Sequence, residues 1–163
     1  MSTFHVYTDG GCRGNTRGSD NIGAWAMCVF NPSMDHIGDK SAATRRTTNN
    51  EMEMYAVYQA LLWSNKNAGR PMVIYTDSAY TKNGCESWVW GWESKGWKKA
   101  DGGEIQNLQL WKDIIVELRK YRLNHGGEVP TFVKVKGHSG VEGNEMADNL
   151  LNVRMTELEM ESM

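Results

Sequence analysis

A tetrapeptide ending in aspartate occurs twice in this sequence. The copies are Val6-Tyr7-Thr8-Asp9 and Ile74-Tyr75-Thr76-Asp77. Both are rich in β-formers and precede turn or cap residues, so each is predicted to end a strand. If the strands are parallel neighbours about 4.8 Å apart, both carboxylates lie at one sheet edge and can share a cation. Alternatively, Asp9 begins a turn with Gly10, and Asp77 caps the next helix.

Two more acidic residues compete at the start of a long predicted helix. Thr48 with Glu51 fits a capping box, and so does Asn50 with Glu53. The spacing alone therefore leaves open which glutamate is available for chemistry.

A third group of acids opens the last predicted helix. Glu145 and Asp148 are three residues apart and share a helix face, after the cap-like Asn144. Acids in the first turn of a helix also stabilise it by offsetting the helix dipole. These residues and the glutamates of the long helix could therefore be structural rather than part of a site.

Apolar periodicity predicts the elements that position these acids. The predicted order is β-β-β-α-β-α-α-α-β-α. The strands are expected at 4–8, 24–30, 37–43, 72–76 and 131–136, and the helices at 50–67, 78–82, 86–93, 108–125 and 144–154. A run of hairpin strands followed by alternating helices and strands indicates a mixed sheet flanked by helices, in the α/β (α+β mixed) class.

Composition excludes several classes of protein. The chain has 163 residues, 18 Lys and Arg against 20 Asp and Glu, and a net charge of −2, which fits one domain that does not hold nucleic acid by bulk charge. No apolar run approaches the roughly 20 residues that cross a bilayer, and no signal-peptide stretch is present, so no membrane association is expected. Cys12, Cys28 and Cys85 form no C-x-x-C pair, which argues against disulfides and zinc and favours a reducing, cytoplasmic setting.

Five motifs follow one another in a fixed order along the chain. They are Thr8-Asp9-Gly10-Gly11-Cys12, Thr47-Thr48-Asn49-Asn50 with Met52-Glu53, Thr76-Asp77-Ser78, Val135-Lys136-Gly137-His138-Ser139-Gly140, and Asn144-Glu145 with Asp148. In this series the chain resembles the type 1 ribonucleases H of the bacterial kind, over about residues 3 to 154. The resemblance implies a ribonuclease H-like fold with a five-stranded mixed sheet. It also implies a catalytic domain over 1–154, which leaves 155–163 as an acidic carboxyl-terminal tail.

The resemblance implies a metal site. The four metal-binding carboxylates of the family fall on Asp9, Glu53, Asp77 and Asp148, because the helix-start glutamate of the family follows a Met. His138 matches a loop histidine associated with proton handling or product departure, although a lone loop histidine is otherwise commonly just solvated. Oxygen ligands suit Mg²⁺, with Mn²⁺ as a substitute. Two such ions about 3.5–4 Å apart can clamp one phosphodiester.

The resemblance further implies endonucleolytic hydrolysis of the RNA strand of RNA–DNA hybrids, leaving 5′-phosphate and 3′-hydroxyl ends. The family positions that contact the hybrid minor groove or sugars fall on Cys12, Asn15, Asn49 and Asn50. Arg46 and Thr48 are expected at a phosphate of the DNA strand. Ser78 is also expected at the hybrid, and it precedes Ala79, where the family often has a larger polar residue.

Residues 85–101, here called the handle, resemble the part of the family that grips the DNA strand. The expected contacts are Trp88, Trp92, Lys95, Trp97, Lys98 and Lys99. Trp88 and Trp92 share a helix face and alternatively pack the handle onto Trp111. The charges of Glu86, Glu93 and Asp101 cancel those of the three lysines, which predicts weaker and less salt-dependent binding than in more basic relatives.

Two other functions remain possible from the sequence. One is a DNA-acting nuclease or strand-transfer enzyme with the same carboxylates, and the other is a hybrid-binding module without catalysis. The asparagines 15, 49 and 50 favour a hybrid, and the presence of all four carboxylates favours catalysis. No heptad or large exposed apolar stripe is evident, so a monomer is expected.

Overall fold

The computed structural model describes residues 2–14, 20–135 and 142–161. Its strands are β1 (Phe4–Arg13), β2 (Ile22–Phe30), β3 (His36–Arg45), β4 (Met72–Thr76) and β5 (Thr131–Lys134). Its α-helices are α1 (Asn49–Lys66), α2 (Ala79–Asn83), α3 (Val89–Ser94), α4 (Leu108–Asn124) and α5 (Glu142–Glu161), and a π-helical turn spans Gly84–Trp88. The order of elements is the predicted one.

The strands form one mixed sheet in the order β3-β2-β1-β4-β5. The hairpin strands β1, β2 and β3 pair antiparallel, whereas β4 lies parallel to β1 and β5 lies parallel to β4. The predicted fold class is therefore confirmed. Because β1 is central and parallel to β4, the carboxyl ends of both strands meet at one edge of the sheet.

Side chains that alternate along the strands form two apolar layers. On one face, Val6 and Ile74 pack with α1 and α4 in a core that includes Trp111. On the other face, Tyr7 packs with α5 through Ala147 and neighbouring apolar residues. No helix in the described ranges combines the length and the apolar character needed to cross a membrane.

The handle region differs from the prediction of two separate short helices. Helix α2, the π-helical turn and α3 run without a break from Ala79 to Ser94. Gly84, in the π turn, lies against the indole of Trp111, where an added Cβ would be 2.1 Å from a ring carbon. The local sequence does not contain this constraint, because Trp111 belongs to α4.

The last helix is longer than predicted. The sequence pattern predicts an end near Arg154, followed by a helical extension or a tail, and in the structure α5 continues to Glu161. Met155 is buried in the layer beneath the sheet, and Glu159 forms an ion pair with Arg13 of β1. These tertiary contacts extend the helix, and the helical periodicity of the segment alone did not indicate them.

Candidate active site

The duplicated tetrapeptides lie side by side. Val6 pairs with Ile74, and Tyr7 pairs with Tyr75, in the parallel ladder between β1 and β4. The same register brings Asp9 opposite Asp77 at the carboxyl edge of the sheet. The alternative of a turn at Asp9 is wrong, because β1 continues to Arg13.

Asp77 is also not a helix cap. The side chain of Ser78 caps α2, with its Oγ accepting a hydrogen bond from the Thr81 amide at 3.0 Å. The Asp77 carboxylate is therefore left to face the end of the sheet.

The start of α1 resolves the choice between the two glutamates. Thr48 is the N-cap, and its Oγ1 accepts a hydrogen bond from the Glu51 amide at 3.1 Å. Glu51 thus occupies the capping-box position. Glu53 lies further along the helix, and only 7% of its surface is exposed.

Gly10 brings Glu53 close to the sheet. An added Cβ on Gly10 would lie 2.3 Å from the carbonyl carbon of Met52 and 2.4 Å from the amide nitrogen of Glu53. The absence of a side chain therefore allows α1 to contact β1 directly after Asp9. This contact places Glu53 beside the paired aspartates.

Three carboxylates converge at this point. Asp9, Glu53 and Asp77 each offer one oxygen, and these oxygens lie within 4.8 Å of one another. The Oε2 atom of Glu53 is buried and has no hydrogen-bond partner. Only oxygen donors are present in this group, which is the donor set that hard divalent cations such as Mg²⁺ prefer.

The crowding changes the titration of two of these acids. Burial and the charge of Asp77 raise the pKa of Asp9 from 3.8 to about 7. Burial, followed by the charges of Asp77 and Asp9, raises the pKa of Glu53 well above its usual value. A bound cation would relieve this repulsion and favour the ionised carboxylates.

Asp148 lies outside this group of three but lines the same cavity. The cavity has a volume of about 410 Å³, and Asp9, Asp77 and Asp148 are in its wall. The charge of Asp148 also contributes to the raised pKa of Asp9. The fourth predicted acid is therefore within electrostatic reach of the others.

The cavity is also lined by residues of α5 and of the end of β1 that the sequence analysis did not predict as site residues. They are Arg13, Asn144, Leu151, Asn152 and Met155. Asn144, Asp148 and Asn152 follow one another at intervals of four and so share one helix face. This spacing was the sequence signal that could have identified the two asparagines.

Two of the four predicted minor-groove residues, Cys12 and Asn49, meet at the rim of the cavity. The Cys12 amide donates a hydrogen bond to Oδ1 of Asn49 at 2.7 Å, which joins β1 to the start of α1. Both residues line the cavity. Arg46 and Asn50 precede and follow the N-cap Thr48 in the sequence, and both are exposed to solvent.

Ser78, a predicted substrate contact, also has a structural role. The Ser78 and Thr81 hydroxyls are 2.9 Å apart, so Ser78 acts within its own helix start. Asn15 and His138 lie outside the described residues, as does most of the glycine-containing loop that carries His138.

The aromatic residues of the handle divide into packed and exposed members. Trp92 contacts Trp111 with ring centroids 5.8 Å apart, as the packing alternative predicts, and its centroid is 5.7 Å from that of Trp88. Trp88 is 37% exposed at the edge of this cluster. A cleft of about 360 Å³ beside it is lined by Tyr80, Trp88, Trp92, Lys99, Ile105 and Gln106.

Two glutamates of the handle form ion pairs with cations outside the handle. Glu86 pairs with Lys82 at 2.9 Å, and Glu93 pairs with Arg119 of α4. Both glutamates therefore contact cations other than the handle lysines. Lys95, Lys98 and Lys99 are exposed.

Comparison with known proteins gives a consistent result. The family model described as RNase H matches residues 1–155. The chain is 38% identical over 160 residues to Ribonuclease H of Ruthia magnifica subsp. Calyptogena magnifica, covering 97% of this chain and 99% of the relative. It is 35% identical over 150 residues to Ribonuclease HI of Neisseria meningitidis serogroup B, covering 92% and 93% of the two chains.

A solved structure shares the fold. The crystal structure of LC9-RNase H1, described as a type 1 RNase H with the type 2 active-site motif, matches with a TM-score of 0.78 and 29% identity. The match covers 96% of this chain and 74% of that one. Sequence and architecture therefore agree over nearly the whole chain.

Proposed function

This chain belongs to the ribonuclease H family, and on that premise we propose that it hydrolyses the RNA strand of RNA–DNA hybrids. Cleavage is endonucleolytic and leaves 5′-phosphate and 3′-hydroxyl ends. The observation that carries the proposal is the convergence of Asp9, Glu53 and Asp77 within 4.8 Å, beside a cavity that Asp9, Asp77 and Asp148 line.

The family uses divalent metal ions, and the residues of this chain fit such an ion. The unpartnered, buried Oε2 of Glu53 is an oxygen that a cation would satisfy. The raised pKa values of Asp9 and Glu53 reflect burial and the charges of neighbouring acids, and a bound cation would offset both. We propose Mg²⁺ as the physiological ion, with two ions engaged during catalysis and Mn²⁺ able to replace them.

Each acid has a separate task in this proposal. Asp9 and Asp77 hold the cation from the two strand ends, Glu53 holds it from α1, and Asp148 completes the site from α5. When bound, the ions neutralise charge on the phosphodiester and lower the pKa of water. His138 handles a proton or assists product departure, as the family resemblance implies.

Substrate contacts surround this site. Cys12, Asn15, Asn49 and Asn50 contact the minor groove, where the 2′-hydroxyl distinguishes RNA from DNA. Arg46 and Thr48 contact a phosphate of the DNA strand, and Ser78 also contacts the hybrid. The handle grips the DNA strand through Trp88, Trp92, Lys95, Trp97, Lys98 and Lys99, a role that the exposure of its lysines supports.

We further propose that the enzyme works in the cytoplasm as a monomer, and that residues 1–154 form the catalytic domain with all four carboxylates, followed by the acidic segment 155–163. All three cysteines are free thiols, which fits a reducing compartment. Size-exclusion chromatography with light scattering tests the monomer. A species of twice the 18.4 kDa chain mass would overturn it.

Cleavage of a labelled RNA strand tests the function. The labelled RNA is paired with DNA in a hybrid, and a DNA duplex of the same sequence is assayed separately for comparison. Both substrates are incubated with Mg²⁺ and, in parallel, with EDTA. We expect cleavage of the hybrid in Mg²⁺ alone, and loss of cleavage in Asp9→Asn. The matched control is Asp39→Asn, because Asp39 is an exposed acid of β3 that pairs with His36.

Three outcomes would contradict the proposal. Equal cleavage of the DNA duplex would identify a DNA-acting nuclease instead. Tight binding of the hybrid without cleavage would identify a non-catalytic module. Undiminished cleavage by Asp9→Asn would remove the carboxylate cluster from the reaction.

A further inference from the structure

Asn21, at the end of the β1–β2 connection, makes three hydrogen bonds to the segment that follows β3. Its Nδ2 donates to the Thr47 carbonyl at 2.7 Å, and its Oδ1 accepts from the Thr47 amide at 3.3 Å. The Arg46 amide donates to the Asn21 carbonyl at 2.9 Å. Because the side chain is buried, water does not compete for these bonds.

The segment held by Asn21 has a shape that it would not adopt alone. Arg46 has a φ of 59°, in the left-handed region that residues with a Cβ rarely occupy. Thr47 is buried, and its Oγ1 has no hydrogen-bond partner. Both features cost free energy, so contacts from outside the segment must maintain them.

The same side chain reaches the other predicted hybrid contact. Asn21 lies close enough to Cys12 of β1 that its side chain opposes the burial that raises the pKa of the Cys12 thiol. The Cys12 amide in turn donates to Oδ1 of Asn49. Asn21 therefore lies between the two stretches of chain, β1 and the start of α1, that carry the proposed minor-groove and phosphate contacts.

We propose that Asn21 is a positioning residue for recognition of the hybrid, because it holds Arg46, Thr48 and Cys12 in one arrangement suited to a sugar–phosphate backbone. The inference rests on the proposed function and adds to it a residue that touches neither the cation site nor the substrate. It assigns this role to a side chain at the base of the recognition surface.

Asn21 acts on binding and not on the chemical step. Glu53, the acid that α1 contributes, is positioned by the direct contact of Gly10 with the backbone of Met52 and Glu53. That contact does not pass through Asn21. Loss of the Asn21 amide is therefore expected to raise KM for the hybrid while kcat is retained.

Steady-state kinetics of Asn21→Ala and Asn21→Asp test the proposal. We expect KM for the hybrid to rise about tenfold in Asn21→Ala, with kcat changed by less than about twofold and the Mg²⁺ concentration for half-maximal activity unchanged. Asn21→Asp keeps the size and the acceptor but replaces the donor with an oxygen facing the Thr47 carbonyl. It should raise KM as well.

The matched control is Asn31→Ala. Oδ1 of Asn31 accepts hydrogen bonds from the Ser33 and Asp35 amides in the β2–β3 turn, so this variant also loses side-chain bonds to the backbone. Its KM should equal that of the wild type. All assays are run at a temperature where circular dichroism shows each variant folded.

The outcomes separate this proposal from the function on which it rests. If the wild type does not cleave hybrids, the proposed function fails. If the wild type cleaves hybrids and KM is unchanged in Asn21→Ala, the positioning role of Asn21 is overturned, whether or not kcat falls. If neither Asn21 variant folds, Asn21 is a folding residue, and the proposal is likewise overturned.

Discussion

Tyr7 and Tyr75 stack on one another across the parallel strands β1 and β4, with ring centroids 4.2 Å apart and planes inclined by 9°. Each tyrosine precedes a candidate metal ligand by two residues, so the stacked pair is in register with Asp9 and Asp77. The ring of Tyr7 also supports Gly143, where an added Cβ would lie 2.3 Å from a ring carbon. One aromatic pair therefore underlies both the strand ends and the start of α5.

The Tyr7 ring is expected to support metal binding as well as stability. Tyr7→Leu should lower the free energy of unfolding by about 2–4 kcal/mol and raise the Mg²⁺ concentration needed for half-maximal cleavage. Tyr75→Phe is the control, because it keeps the ring and removes the hydroxyl that hydrogen-bonds to His5 at 2.7 Å. Urea unfolding and a Mg²⁺ titration measure the two effects, and equal titrations for both variants would contradict the prediction.

Gly10 is expected to tolerate no side chain. In Gly10→Ala, the new Cβ would overlap the backbone of α1 at Met52, so the helix must move away and take Glu53 with it. We expect a loss of cleavage of at least about 10²-fold and a lower melting temperature. Gly38→Ala in β3 is the matched control, since nothing lies within 4 Å of its added Cβ, and it should be silent in both measurements.

The raised pKa of Asp9 predicts how stability depends on pH without metal. The folded protein has a pKa of about 7 for Asp9 in place of the usual 3.8, so between these values it binds more protons than the unfolded chain. The contribution of Asp9 to the free energy of unfolding is therefore fully present below about pH 4. It is lost as the pH rises towards 7, and this loss amounts to about 2–4 kcal/mol. The raised pKa of Glu53 acts in the same direction.

Urea unfolding at pH 4.5 and 7.5 in EDTA measures this loss. Asp9→Asn should be more stable than the wild type at pH 7.5, and Asp39→Asn should follow the wild type. Mg²⁺ should restore the stability of the wild type at pH 7.5, because it binds only the folded carboxylate cluster. A wild-type protein that becomes more stable between these pH values in EDTA would contradict the electrostatic argument.

The carboxyl-terminal half of α5 is expected to contribute stability. Met155→Ala removes a side chain that is 3% exposed and should cost about 2–4 kcal/mol of unfolding free energy. Met160→Ala is the control on the same helix, with a residue that is 64% exposed, and should cost less than about 0.5 kcal/mol. Equal melting temperatures would mean that the segment after Arg154 does not pack as described.

The handle lysines are expected to govern the salt dependence of binding. Changing Lys95, Lys98 and Lys99 together to Ala should weaken hybrid binding and reduce the slope of log affinity against log salt by about 1 for each lysine at a phosphate. Lys66→Ala, at the opposite end of α1 from Thr48, should leave the slope unchanged. An unchanged slope in the triple variant would remove the lysines from the interface.

The sequence contained enough to predict the fold and three converging acids. Alternation and helical periodicity predicted the strands and the order of elements along the chain, and the repeated Tyr-Thr-Asp indicated that two strands were equivalent. The identity of the α1 acid came from family resemblance, because two capping boxes overlapped at Thr48 and Asn50. Only the three-dimensional cap at Thr48 separated them.

What the sequence did not reveal depends on contacts between distant segments. The π-helical turn of the handle accompanies the contact of Gly84 with Trp111, and the length of α5 depends on Met155 and on the pairing of Arg13 with Glu159. The role proposed for Asn21 is of the same kind, since Arg46 and Thr47, to which it hydrogen-bonds, lie 25 and 26 residues further along the chain. Local patterns carry no record of such partners.

The parallel pairing of β1 with β4 also affects when the active site can form during synthesis. Val6 can pair only after Ile74 has been synthesised, and the cavity wall also requires Asp148 of α5. Pairings between such distant segments are slow steps in folding, because the intervening chain must be closed into a loop first. The active-site cavity is therefore expected to form only after α5 has been synthesised.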